Sequence, residues 1–463
     1  MRGAQLAELL GGDPPGVAEA TGLISGFDDA LEHGFARIGA DRVAALAALA
    51  GAVAGTPLGA GAREAVGKLS AGSVAREHLV VLAGARAALL GAQYDALLSR
   101  VDAALERSRA AWDQGPVPGA VSGPGEAAQA WLQELAVAGW RGLDQGHVDG
   151  VDRPVEALLA APGTARRAAV LLDGLAAELR ARAPIGPGDR VPARRWADLW
   201  SHAMLLARRA SEAPAAAHPV TGRLLPLGVD VLEHGTAVQV LVHGVLECSG
   251  GAPRLVRTSV TAAKTDTITG PAIWRLLTGF PLLLGALAQH RGLEVREMPL
   301  TGDGHLVWSE EQATAGEPAD PFSTARVLLP AALAPATAPL DRNPVRLAEP
   351  VLLEGYKTQG ETWTLDGQVL LRVALDRLPS AGPLTPALLK ASTACIGLLC
   401  RDEGAGWLLR PLAVQAKSKG TVTAYHGGDW ALGPTDPKVV KAESKSGDPV
   451  AVLRERAGRL LRR

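Results

Sequence analysis

The sequence predicts an α+β protein: an N-terminal all-α helical domain followed by an antiparallel β-hairpin-rich domain with covering helices. Three observations predict it. Apolar residues recur near helical spacing through residues 1–209, most clearly from Ala75 to Arg109. From Arg223 to Glu247 two apolar runs rich in β-branched residues flank a polar turn, Glu233-His234-Gly235-Thr236. Between these regions, SEAPAAAHPVTG at 211–222 marks the change from helical to β composition. The boundaries that follow are a helical domain at 1–215, an α+β domain with repeated hairpins at 219–447 and a basic C-terminal helix at 448–463.

In chain order, helices are expected at Val17 to Leu31, Ala40 to Val53 and Ala75 to Arg109, with Gly84 and Gly91 marking either a close helix contact or a break. The Gly/Pro-rich run 114–125 reads as a linker. Helix resumes over Glu126 to Leu143, Arg153 to Ala160 and Thr164 to Arg182, the last with Thr164 as N-cap and Pro184 to Gly188 as its stop. Pro192 to Arg209 carries Trp196, Trp200 and Met204 at i, i+4 and i+8. Burial is the first reading of this stripe, and an aromatic partner-binding face the second.

The β region opens with the hairpin, where Gly235 is expected to supply a positive φ. Arg254 to Ala262 is a third strand, Pro271 to His290 a helix begun by its proline, Leu293 to Met298 and Leu306 to Trp308 short strands, and 309–321 a loop. The Ala/Pro-rich stretch 330–344 is an extended connection. A helix is expected over Pro386 to Cys400. The hairpin grammar recurs: Pro226 to Gly235 and Pro411 to Gly420 share their spacing, with Leu227, Val229 and Thr236 matched by Leu412, Val414 and Thr421. A looser copy starts at Pro350, with Gly360 in its turn and Trp363 to Leu375 as its return. Either a duplicated β unit or ordinary turn chemistry accounts for this.

With 463 residues, 47% hydrophobic and 21% charged, the chain can bury a core without staples. Three cysteines make no disulfide framework, MRGAQLAELLGG lacks the apolar centre of a signal peptide, and no run is long enough to span a membrane; the expectation is a cytoplasmic protein. Arginine outnumbers lysine 38 to 9, as in GC-rich bacterial genomes. A net charge of −1 argues against a dedicated nucleic-acid protein. The last segment alone is basic, and its Arg459 and Arg462 are candidates for contact with an acidic partner.

Tests for chemistry are mostly negative. Gly61 to Leu69 resembles a phosphate loop but is one residue too long and places Leu69 where a hydroxyl is required. No dinucleotide fingerprint and no serine elbow is present. Cys395 and Cys400 lie five apart on an expected helix and read as packing residues. His243 and His426 each precede a glycine after a hairpin strand, which allows a paired-histidine site at one rim. Lys417 and Lys419, with Lys264 and Lys357, sit on presumed loops and form an anion-binding or partner-binding edge if those loops converge.

The runs PARRWADLWSHAMLL and RLLPLGVDVLEHGTAVQVLVHGVLE resemble parts of uncharacterised proteins from actinobacterial gene neighbourhoods that also encode a MoxR-type AAA+ ATPase, a von Willebrand A protein and a SWIM zinc-finger protein. The resemblance covers 40 of 463 residues and implies an accessory or adaptor role without transferring any site residue. The function expected is a non-enzymatic binding or scaffold protein with a protein partner, no cofactor or metal, a broad apolar-centred patch and no deep polar pocket. An enzyme with an interdomain site is the rival. A nucleic-acid-associated protein using the basic tail is the third reading.

Overall fold

In the computed structural model of the protein, the residues described are 1–110, 112, 123–161, 165–186, 188–210, 217–341, 347–367, 369–402, 406–418 and 420–460. The first half is helical: α1 (Gly3–Leu10), α2 (Val17–His33), α3 (Ala40–Ala52), α4 (Gly59–Ser70), α5 (Arg76–Ala104), α6 (Glu126–Ala138), α7 (Gln145–Asp149), α8 (Asp152–Ala160), α9 (Ala165–Arg180) and α10 (Ala193–Arg208). α5 runs unbroken for 29 residues. No break falls at Gly84 or Gly91, and an added Cβ on Gly84 would meet Leu58 only at an ordinary 3.7 Å. α4 covers the false phosphate loop; it is a helix because Ala62, Ala65, Val66 and Leu69 bury one face of it. Residues 114–122 of the expected linker, the expected N-cap Thr164, and the boundary residues 211–216 lie outside the described set.

Trp196 and Trp200 have no solvent exposure. Trp196 meets Trp140 edge to face at 5.8 Å and donates its indole N–H to Glu178 at 2.9 Å. Trp200 packs against Phe27 and donates to the Leu132 carbonyl at 2.8 Å. The partner-face reading of this stripe gives way to the core, because both rings are consumed by neighbouring helices.

The second half holds thirteen strands among its described residues: β1 (His218–Glu233), β2 (Ala237–Glu247), β3 (Arg254–Ala263), β4 (Arg291–Leu300), β5 (His305–Leu306), β6 (Ala313–Pro318), β7 (Ala348–Glu354), β8 (Lys357–Gln359), β9 (Thr362–Leu365), β10 (Val369–Val373), β11 (Ser392–Asp402), β12 (Gly406–Ser418) and β13 (Thr421–His426). Five short helices accompany them: α11 (Pro281–Ala288), α12 (Pro321–Val327), α13 (Pro386–Lys390), α14 (Pro437–Ser446) and α15 (Pro449–Leu460). The expected hairpin is present, pairing Arg223 with Glu247 and Glu233 with Val238. Its turn does not use a positive φ at Gly235, where an added Cβ would meet only the movable carboxylate of Asp266.

Strand pairing closes the first sheet into a ring. β1 pairs with β2, β2 with β3, β3 with β5 in parallel, β5 with β4, and β4 returns to β1. β1 can serve both ends because it is long: residues 218–224 pair with β4 and 223–233 with β2, with a bulge between Pro226 and Gly228 where the strand bends. The interior is apolar, from Val238, Val240 and Val242 to Val256 and Val260, and Trp274, Leu283 and Leu287 from the segment between β3 and β4 plug it. This order, with its helical plug between the third and fourth strands, is that of the five-stranded OB barrel. It establishes an architecture and no activity.

The second sheet repeats the order. β7 pairs with β11, β11 with β12, β12 with β10 in parallel, and β10 with β9, while α13 lies between β10 and β11. Equivalence therefore runs β1 to β7, β2 to β9, β3 to β10, β4 to β11 and β5 to β12. The step from β7 to β9 is open, because the chain turns away at Gly355 with φ +71. Leu6 and Leu9 of α1 and Leu97 and Val101 of α5 join the core there, so the helical half completes the second barrel.

The repetition is real at the level of topology, where β7, which includes Pro350, is the counterpart of β1. The looser copy is not itself a hairpin: β7 pairs with β11, and Trp363 to Leu375 holds β9 and β10, which pair with each other. Pro226 to Gly235 and Pro411 to Gly420 each belong to a strand that bulges at its Pro-Leu step and leads into an antiparallel hairpin, β1–β2 and β12–β13, but these strands hold different positions in their sheets. Those bulges meet where the barrels touch: a Cβ on Gly228 would stand 2.7 Å from the Leu412 Cβ.

Other expectations need correction. Pro271 to His290 is a 3₁₀ turn (Gly270–Leu276) followed by α11, since Pro281 cannot continue a helix begun before it. The expected loop 309–321 contains β6, an edge strand whose polar sequence shows no period because it pairs with β4 through backbone alone. Most of Pro386 to Cys400 is strand, not helix: β11 is central and buried on both faces, which erases the alternation that distinguishes the two. α15 is not a separate solvated tail. Its Val450 joins the first barrel's core, and Arg275 pairs with Asp448 at 3.1 Å. Among the described residues, no helix is long and apolar enough to cross a membrane.

Candidate functional site in the cleft between the halves

The helical half and the two barrels enclose a cleft of about 1480 Å³. Alternation along the strands decides what faces it. On β2, Val240 and Val242 point into the barrel, so Leu241 and His243 point out. On β3, Val256 and Val260 are interior, and Arg257 faces out directly opposite His243. Val229 and Val231 flank Asp230 on β1 in the same way. From the second barrel, Leu371 and Val373 are interior and Arg372 is outward; Leu409 is interior and Arg410 outward. α9 and α10 form the facing wall with Arg167, Arg194, Asp198 and His202.

The floor is polar and closely paired. Arg410 donates through Nη2 to Asp230 at 2.5 Å, bridging the barrels. Arg257 donates through Nη2 to Asp303, in the turn between β4 and β5. Burial pushes the Asp303 carboxyl up, but the Thr301 hydroxyl and Arg257 outweigh it and hold the acid below its ordinary range. His243 is 9% exposed and its Nε2 has no partner. Burial, then the charges of Arg257 and Arg410, push its imidazole down to about 3, so it is neutral at any ordinary pH. Further along, Arg109 ties the end of α5 to the second barrel, with Asp102 at 2.9 Å and Glu349 at 3.0 Å.

The paired-histidine expectation is corrected in its membership. His243 stays in the cleft, whereas His426 stacks on His290, ring centroids 4.5 Å apart. Asp429 accepts from His290 Nε2 at 2.8 Å and from the His426 backbone N–H at 3.2 Å. Among the described residues, these three bring metal-ligand atoms together. The Nδ1 lone pair of His426 is already engaged, since it accepts from the Gly428 N–H at 3.0 Å. The trio holds the end of α11 to the loop after β13. Cys395 and Cys400 cannot share a ligand either, since odd spacing on a strand sends them to opposite faces, one into the second barrel and the other out.

Burial holds His426 at about 4 and His243 at about 3, against 6.5 when free. A base with a lowered folded pKa takes its proton more readily when unfolded, so the unfolded state binds more protons between the two values. Stability is therefore expected to fall as pH drops from about 6.5 toward 4. The slope approaches about 1.4 kcal/mol per pH unit for each histidine, with no contribution from either above pH 7. Urea midpoints at half-unit pH steps check this, and His426→Gln should remove close to half of the slope.

Of the remaining sequence candidates, those described lie on separate elements. Lys417 is exposed near the end of β12 in the second sheet, Lys357 lies on its edge strand β8, and Lys264 follows β3 of the first barrel, where its Nζ closes the turn on the Ile268 carbonyl. Lys419 and Arg462 lie outside the described residues, and Arg459 is placed only as backbone of α15. Arg257, Arg372, Arg410 and His243 were missed as a site. Their one signal was a charged residue inside a run of apolar strand, as in VLLRV and WLLRPLAV. No family model matches the chain, and no curated protein matches it.

Proposed function

We propose that the protein is a binding protein that holds an anionic ligand between its helical half and the paired barrels, without turnover. The observation that carries this reading is the arginine-walled cleft with an unpartnered, buried imidazole on its floor. The cleft replaces the broad apolar patch expected of a scaffold: the large exposed apolar residues, such as Leu159, Val327, Leu370 and Val422, sit on separate elements.

A concave cleft between the two halves is also what the enzyme reading called for. His243, however, is too weak a base near pH 7 at about 3, and Asp230 and Asp303 are each committed to an arginine. An oligonucleotide is disfavoured because, among the described residues, the only tyrosine or tryptophan side chains lining the cleft are Tyr94 and Trp112 on the helical side, and the barrel face offers Leu241, His243, Leu255 and Arg257. The accessory role implied by the resemblance is kept as part of this proposal: a binding protein needs no ATPase loop of its own.

The test is equilibrium dialysis of the full chain against inorganic phosphate, pyrophosphate, citrate, hexaglutamate and a mixed-sequence DNA 12-mer, with hydrogen exchange on any bound form. Retention of a small anion, unchanged in mass, with protection of amides in both β2–β3 and α10, is the expected result. A probe returned chemically altered, retention of the 12-mer alone, or no retention at all would overturn it.

A further inference from the structure

The two barrels present the same position to the same cleft. In each, the third strand pairs in parallel with the fifth through two residues: Arg257 and Thr258 with His305 and Leu306, Arg372 and Val373 with Leu408 and Leu409. Arg257 and Arg372 are therefore equivalent, the first residue of the parallel step, with the next side chain turned into each barrel. Both line the cleft. Arg410 lies two residues beyond Leu408, the partner of Arg372, and on the same face, so about 7 Å separates the two strand positions.

Resting on the binding reading above, we infer that Arg257, Arg372, Arg410 and His243 form one seat for an oxyanion group of the ligand, a phosphate or a carboxylate. Donor bookkeeping supports the seat. A guanidinium has five N–H donors. Among the described residues, Arg257 and Arg410 each spend donors from Nη2 alone, on Asp303 and Asp230, and Arg372 makes no ion pair. The neutral His243 imidazole lies within reach of the Arg257 and Arg410 charges, and its Nε2 can carry the proton and donate. The forked donors match the planar edges of a carboxylate or a phosphate.

The experiment titrates the full chain with orthophosphate, pyrophosphate and succinate, following the ring signals of 13C-labelled histidine by NMR and affinity by calorimetry. The His243 signals, assigned by their loss in His243→Phe, should move on saturation with at least one probe, and the preferred arm names the oxyanion. Arg372→Ala removes an exposed, unpaired side chain and leaves the fold intact; it should weaken that probe about tenfold at unchanged melting temperature. Arg410→Lys, which keeps the charge beside Asp230 but loses the fork, should weaken it severalfold. Probe binding that is indifferent to Arg372→Ala and leaves His243 unmoved would overturn the seat while leaving the binding reading standing. Failure of every probe in this titration and in the dialysis above would overturn both.

Discussion

Replacing Arg86 by alanine is expected to cost the helical half about 3–5 kcal/mol, because it strips a buried carboxylate of its counter-charge. Arg86 has no exposure and donates to Asp28 at 2.7 and 3.2 Å, with Asp198 at 2.7 Å on its other side. Burial already pushes the Asp28 carboxyl up, with Arg86 and Arg194 opposing that rise. Without Arg86, only Arg194 at 3.2 Å remains for it. Asp28 then takes up a proton at higher pH, so part of the deficit should disappear as pH is lowered through its new value. Arg86→Leu with Asp28→Leu should recover most of the loss, since two apolar groups leave no orphaned charge. Urea denaturation of both variants, followed by far-UV dichroism, decides it: a loss below about 1 kcal/mol in Arg86→Ala would mean that the charge is solvated after all.

Trp200→Ala is expected to lose about 3–5 kcal/mol by emptying the space beside Phe27. It also removes the indole's bond to the Leu132 carbonyl at 2.8 Å, a second bond beyond the helical one that this carbonyl keeps. Trp196→Ala should behave alike, leaving Glu178 with Arg195 alone. Had these rings been a partner-binding face, both variants would melt like the parent and fail only in binding. Thermal denaturation of the two variants separates the cases.

The helices and hairpins were legible for a local reason. Periods of 3.6 and 2 are imposed by which face of an element is buried, and α2, α3 and α10 each keep an exposed face opposite a buried one. α5 and the middle of β1 are buried on most sides, and their long apolar runs made them legible. The same rule explains the misses. β11 is buried on both faces, β6 buries only Ala313 and Gly316, and α4 carries three glycines that depress its helical signal. The local likeness of the two Pro-Leu strands was visible, but it pointed to the wrong equivalence, because a bulge is a short-range feature while a barrel position is defined by its neighbours.

Of the site, single residues were visible and their convergence was not. Arg372 and Arg410 stand in different strands, and Asp230 meets Arg410 across 180 positions. The strand polarity that turns all three toward the cleft could be read locally; their meeting could not.

By itself the sequence determined that a helical half precedes a β half, that the first hairpin forms between Arg223 and Glu247, and that arginine carries most of the positive charge. Only the tertiary structure decided that the strands form two sheets of one order, the first closed into a barrel and the second open between β7 and β9, and that α1 and α5 fill that gap. It also gathered three arginines and a bare imidazole at one floor. The physical reason is that side-chain period is set within a few residues, whereas parallel pairings such as β3 with β5 and β10 with β12 join strands separated by other strands and helices, and which partner wins depends on the whole core.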